Sequence, residues 1–136
     1  MFEAYTTTTA VYETDAAIAF TDVRYRDCRI STPSNTSVRI VTPGRYFVVF
    51  NGIASSNTAA SPFTVQLYRN DTPVTGIIST ITSTAVGDEQ TLTLSTIVNV
   101  PPSCCYIDNE VNLRIVVTSE EPGTLTSGSI KVFRLK

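Results

Sequence analysis

The chain has 136 residues, of which 42% are hydrophobic and 16% charged, with a net charge of −2 and a pI near 5.0. That length suits one domain with a substantial core, and the composition is that of a globular chain rather than a disordered one. Zero histidine removes Ser-His-Asp and Cys-His catalysis, and no run of lysine or arginine points to a nucleic-acid partner.

No apolar run reaches the roughly 18 to 20 residues that span a bilayer, so no membrane partner is expected. Residues 1–15, "MFEAYTTTTAVYETD", have neither a basic n-region nor an apolar h-region and do not read as a signal peptide. They are short and polar, and read as an extended N-terminal arm that could add a strand to a neighbouring protein. One domain is expected over residues 16–136.

Nowhere does a helical period of i, i+3, i+4, i+7 persist over three turns. Threonine, serine, valine and isoleucine dominate, and these favour strands. Turn signals fall at "STPSN" (31–35), "TPG" (42–44), "SSNTAASP" (55–62), "RNDTP" (69–73), "VGDE" (86–89), "PPSCC" (101–105) and "EEPG" (120–123). Short strands at that spacing predict an all-β, antiparallel two-sheet sandwich of the jelly-roll kind, with no significant helix.

In chain order, the first strand candidate is "AAIAF" at 16–20, apolar on both faces. The stretch "TPGRYFVVFNG" (42–52) follows a Pro43-Gly44 turn and is also apolar on both faces, from 45 to 54. Residues 63–68, "FTVQLY", alternate instead: Phe63, Val65 and Leu67 on one face, Thr64, Gln66 and Tyr68 on the other. Residues 91–100 put Leu92, Leu94, Val98 and Val100 on one side and Ile97 on the other. In 111–118, Val111, Leu113, Ile115 and Val117 oppose Asn112, Arg114 and Thr118. The closing "IKVFRL" (130–135) is again apolar on both faces. A sandwich buries one face of each sheet. A second apolar face needs a further cover, and another copy of the chain is the expected one.

Catalytic and ligand-binding patterns are not found. Asp88-Glu89 and Glu120-Glu121 are adjacent carboxylates in turns, and neighbours on an extended chain point apart, which makes a poor acid/base pair. Asp108 and Glu110 offer oxygen ligands without a calcium-loop pattern, and no Gly-rich phosphate loop is present. A sugar-stacking platform would have to use Tyr12, Tyr25, Tyr68 or Tyr106. No enzyme, cofactor or metal is expected. The three cysteines, Cys28, Cys104 and Cys105, do not close an intrachain framework. Cys104 and Cys105 could form a vicinal disulfide, bridge to other chains, ligate a metal or remain exposed thiols. The lack of histidine and of CxxC spacing disfavours zinc.

Three segments in order, "AIAF", "PGRYFVVFNGIAS" and "SGSIKVFRL", resemble strands of the C1q/TNF-like jelly-roll superfamily. "TVQLYRNDTPV" looks similar to a strand and turn of its bacterial and phage branch, which includes the tips of spore-surface collagen-like glycoproteins. "MFEAY" and "VNVPPSCC" look similar to small structural proteins of Firmicutes phages. The resemblance covers about Ala16 to Leu135. It implies an inner sheet of 16–20, 130–135, 45–54 and 91–100 facing a threefold axis. The implied homotrimer interface is Ile18, Phe20, Tyr46, Phe47, Val49, Ile97, Phe133 and Leu135. The implied function is that of a non-enzymatic structural protein at a virion surface: a trimeric capsid decoration, head-fibre or appendage knob. It would contact other virion proteins through the N-terminal arm. The alternative is a receptor- or glycan-binding tip of a spore or cell-surface fibre, using loops 55–62, 69–76 and 101–109.

Overall fold

The computed structural model describes residues 1–102 and 110–135. They form strands β1 (Phe2–Thr6), β2 (Ala10–Tyr12), β3 (Asp22–Tyr25), β4 (Ile30–Ser34), β5 (Ser37–Ile40) and β6 (Gly44–Ser56). Then follow β7 (Pro62–Arg69), β8 (Thr72–Thr82), β9 (Gln90–Val100), β10 (Val111–Val117) and β11 (Gly123–Leu135). No described residue is helical. A front sheet runs β3-β1-β11-β6-β9, with β2 beside the start of β11, and a back sheet runs β4-β5-β10-β7-β8. Every pairing is antiparallel, as expected of a jelly-roll sandwich.

The core lies where the inward faces meet. Val48 and Phe50 of β6, Leu92 and Leu94 of β9 and Ile130 and Val132 of β11 are buried against the back sheet. From that sheet come Phe63, Val65 and Leu67 of β7 and Val111, Leu113, Ile115 and Val117 of β10, all buried. The alternation read from residues 63–68 and 111–117 is therefore the alternation of the fold. Gly123 opens β11 because Phe63 lies against it: a Cβ there would stand 2.4 Å from the ring.

The 69–73 signal is a two-residue hairpin loop. Asn70 and Asp71 both have positive φ, 50° and 65°, as the turn types that suit strand twist require. The tip folds onto β10. Asn70 Oδ1 accepts the Asn112 N–H at 2.8 Å, and the Asp71 carboxylate pairs with Arg114 at 2.6 Å.

Three expectations are corrected. Segment 16–20 is not in the front sheet. It lies along the end of β10 in the back sheet, where Ala17 bridges Val116 and the Ile18 N–H donates to the Ile115 carbonyl at 2.8 Å. The place assigned to it belongs to β1, which pairs with β11 from Phe2↔Val132 to Thr6↔Gly128. Residues 1–15 are accordingly not an arm outside the domain: Phe2 and Ala4 are core residues, and β2 adds to β11. Both segments read as short strands in the sequence, so only pairing partners decide which one joins β11. Lastly, residues 31–34 of "STPSN" are strand, and only Asn35 of that signal lies in the turn. Pro33 sits in edge strand β4, where the register with β5 slips between Ser31 and Ser34, and the turn falls at 35–36. An edge strand tolerates the missing donor.

Candidate functional site

The feature needing explanation is the outward face of the front sheet. Strand register places Phe133, Phe47 and Ile97 side by side across β11, β6 and β9. The next row inward along the strands is Lys131, Val49 and Ser95, and the next outward is Leu135, Arg45 and Asn99. Phe47 is 36% exposed, Ile97 51% and Leu135 38%, so this apolar patch meets solvent in the single chain. Five of the eight expected interface residues (Phe47, Val49, Ile97, Phe133 and Leu135) are gathered here.

The other three are not. Ile18, Phe20 and Tyr46 are buried inside the domain. Phe20 meets Phe50 edge to face with centroids 6.0 Å apart, and the Tyr46 hydroxyl donates to the Thr42 carbonyl at 2.7 Å. Burial pushes the Tyr46 hydroxyl above its ordinary pKa, against a smaller opposing effect of Arg134. The reason is phase: Tyr46 alternates with Phe47, and Ile18 and Phe20 follow a segment that lies on the back sheet.

Ile53, 41% exposed on the same face of β6, is missing from the sequence-derived set. Its odd-numbered phase with Phe47 and Val49 was the available signal. Toward that end the face becomes polar, with a row of Tyr5, Ser129, Asn51 and Thr93. A shallow concavity of about 420 Å³ lies there, lined by Tyr5, Ser129 and Asn51 together with Glu3, Arg24 and Lys131 among others. The Glu3 side chain is almost fully buried yet paired: Arg24 reaches it at 3.0 Å, and the same guanidinium sits 4.5 Å over the Tyr5 ring.

The remaining sequence candidates have structural surroundings. Asp88 accepts from the Thr84 hydroxyl and the Ala85 N–H, closing its own turn, and Glu89 accepts from Thr126. Glu110 pairs with Arg39 at 3.4 Å. Among the described residues no group of three or more His, Cys, Asp or Glu is placed to hold a metal. Cys28 is exposed and has no disulfide partner among them. Cys104, Cys105, Tyr106 and Asp108 lie outside the described residues. Loops 55–62 and 69–76 fall at opposite ends of the sandwich, so they do not converge on one binding site.

This arrangement of strands has known counterparts. The globular domain of zebrafish complement 1qA superposes with a TM-score of 0.73 at 12% identity, covering 99% of this chain and 96% of that one. The Eiger TNF from S. frugiperda gives 0.74 at 12% identity, covering 99% and 93%. The fold is the C1q/TNF-like jelly roll. No protein-family model matches the sequence, and no curated protein matches it. The front sheet of that fold here presents apolar rows to solvent.

Proposed function

We propose that this chain is a non-enzymatic structural protein of a phage particle, a homotrimeric capsid decoration, head-fibre or appendage knob at the virion surface. The observation that carries the assembly part is the Phe133–Phe47–Ile97 row with Val49 and Leu135 beside it, an apolar patch exposed among the described residues. Burying such a patch against equivalent patches removes it from water at roughly 25 cal/mol per Å². The virion assignment is supported by the resemblance of "MFEAY" and "VNVPPSCC" to phage structural proteins. Because Phe2–Thr6 are committed to the front sheet, contacts with other virion proteins fall to surfaces other than a free arm.

Two measurements test the reading in parts. Light scattering at micromolar concentration should give three times the chain mass, and a monomer mass would overturn the assembly. Antibody labelling of purified particles under the electron microscope should mark their surface at regular positions. Unlabelled particles would remove the virion role while leaving the trimer standing.

A further inference from the structure

The two ends of the sandwich carry opposite charge. One end is formed by segments 7–16, 57–61, 83–89 and 118–122, tied together by bonds such as Asp15 N–H to the Val117 carbonyl and Ala60 N–H to the Ser83 carbonyl. It holds Glu13, Asp15, Asp88, Glu89, Glu120 and Glu121, all exposed, and those segments contain no lysine or arginine. The partners of Asp88, Glu89 and Glu121 are hydroxyls and a backbone N–H, which leave the charge in place.

At the other end lie Arg26, Arg29, Arg45, Arg69 and Arg134. Of these, among the described residues, Arg29 alone has a carboxylate, that of Asp27. Arg69 and Arg134 donate to the carbonyls of Asn99 and Pro43, and Arg26 and Arg45 are exposed. Asp71 and Glu110, nearby, already pair with Arg114 and Arg39. Strand β6 runs from one end to the other over 13 residues, about 43 Å at 3.3 Å per residue. That is several times the screening length of about 8 Å at physiological salt, so the ends cannot neutralise each other within one copy.

We propose that copies of this chain associate head to tail, the arginine-rich end of one against the carboxylate-rich end of the next. Such a contact joins two different surfaces at opposite ends of the long strands, a direction along which it repeats as a linear stack rather than closing a ring. It uses no residue of the apolar patch, and Arg45, which shares a front-sheet row with Leu135, is left unchanged in the test. Around a threefold axis along the strands, all acidic ends would gather on one side, and trimers would be the stacking unit.

Sedimentation of the full chain at about 20 mM and about 500 mM salt tests this, since exposed charge pairs are screened across that range. The expected result is a rise of about twofold or more in weight-average mass at low salt, reversed at high salt. The triple variant Arg26→Glu/Arg69→Glu/Arg134→Glu takes five arginines and Asp27 from +4 to −2 and makes both ends acidic, and Glu13→Lys/Glu89→Lys/Glu120→Lys/Glu121→Lys takes six carboxylates from −6 to +2 and makes both basic. Each alone should keep its high-salt mass at low salt, and an equimolar mixture of the two should stack again. Equal wild-type mass at both salts overturns the proposal, as does a mixture that stays unassociated. Circular dichroism checks folding, and Arg29→Glu or Asp88→Lys stands in for any single change that unfolds the chain. A trimer held by the apolar face persists at high salt, so either idea can fail without the other.

Discussion

Tyr46 and Phe47 are adjacent in sequence and have opposite surroundings. Tyr46 is fully buried, and Phe47 is about one-third exposed in the centre of the outward face. Phe47→Asp should leave the single chain folded but break the trimer, because assembly would desolvate one unpaired carboxylate per copy at several kcal/mol each. Ile78→Asp, at a residue 49% exposed on β8 of the back sheet, is the control and should stay trimeric. A trimeric Phe47→Asp protein would refute the interface. Tyr46 gives a pH test. Burial raises its pKa above the ordinary 10.0. Its stabilising contribution is thus complete below pH 10, and is lost as pH rises through the folded value. Tyr46→Phe should cost about 1 kcal/mol at neutral pH through the lost hydrogen bond to Thr42. It should also flatten the alkaline fall in melting temperature as pH rises above 10. Gly123→Ala pushes a methyl into the Phe63 ring and should cost about 1–3 kcal/mol in urea titration, the range for overpacking.

Strand β1 and segment 16–20 settle which element fills the front sheet. β1 presents Phe2, Ala4 and Thr6 inward and Glu3 and Tyr5 outward, the alternation of a strand with one core face. Phe2→Ala should therefore cost about 3–5 kcal/mol, as for large-to-small changes in a packed core. If residues 1–15 hung free as an arm, the same change would leave chemical denaturation unaltered, so the titration separates the two arrangements. The hairpin at Asn70-Asp71 belongs to this scale too. Its positive φ values suit Asn and Asp, and its ties to Asn112 and Arg114 secure β7, β8 and β10 as a unit.

For the whole molecule, a net charge of −2 conceals an acidic end and a basic end separated by the length of a strand. Self-association by the charged ends should weaken with salt while that by the apolar face persists, since screening acts on charge contacts and leaves apolar burial intact. Trimerisation also couples to stability by mass action. The melting temperature should rise with chain concentration over the micromolar range at high salt, and a concentration-independent value would argue that assembly contributes nothing to folding.

Fold class, the alternation of β7 and β10, the turn at Asn70-Asp71 and the doubly apolar character of β6 and β11 were legible in the residues, because each is a local pattern of period two or a turn chemistry. The resemblance in "PGRYFVVFNGIAS" and "SGSIKVFRL" also pointed to the jelly roll that the superpositions then showed. What pattern alone could not decide was partnership and phase. Whether Phe2–Thr6 or 16–20 pairs with β11 depends on contacts more than a hundred residues away in sequence. Whether Tyr46 or Phe47 faces the core depends on which side of β6 meets the back sheet. The two charged ends are likewise invisible in a chain without a basic or acidic run: long antiparallel strands carry residues scattered through the sequence to a common end, and only their register collects them.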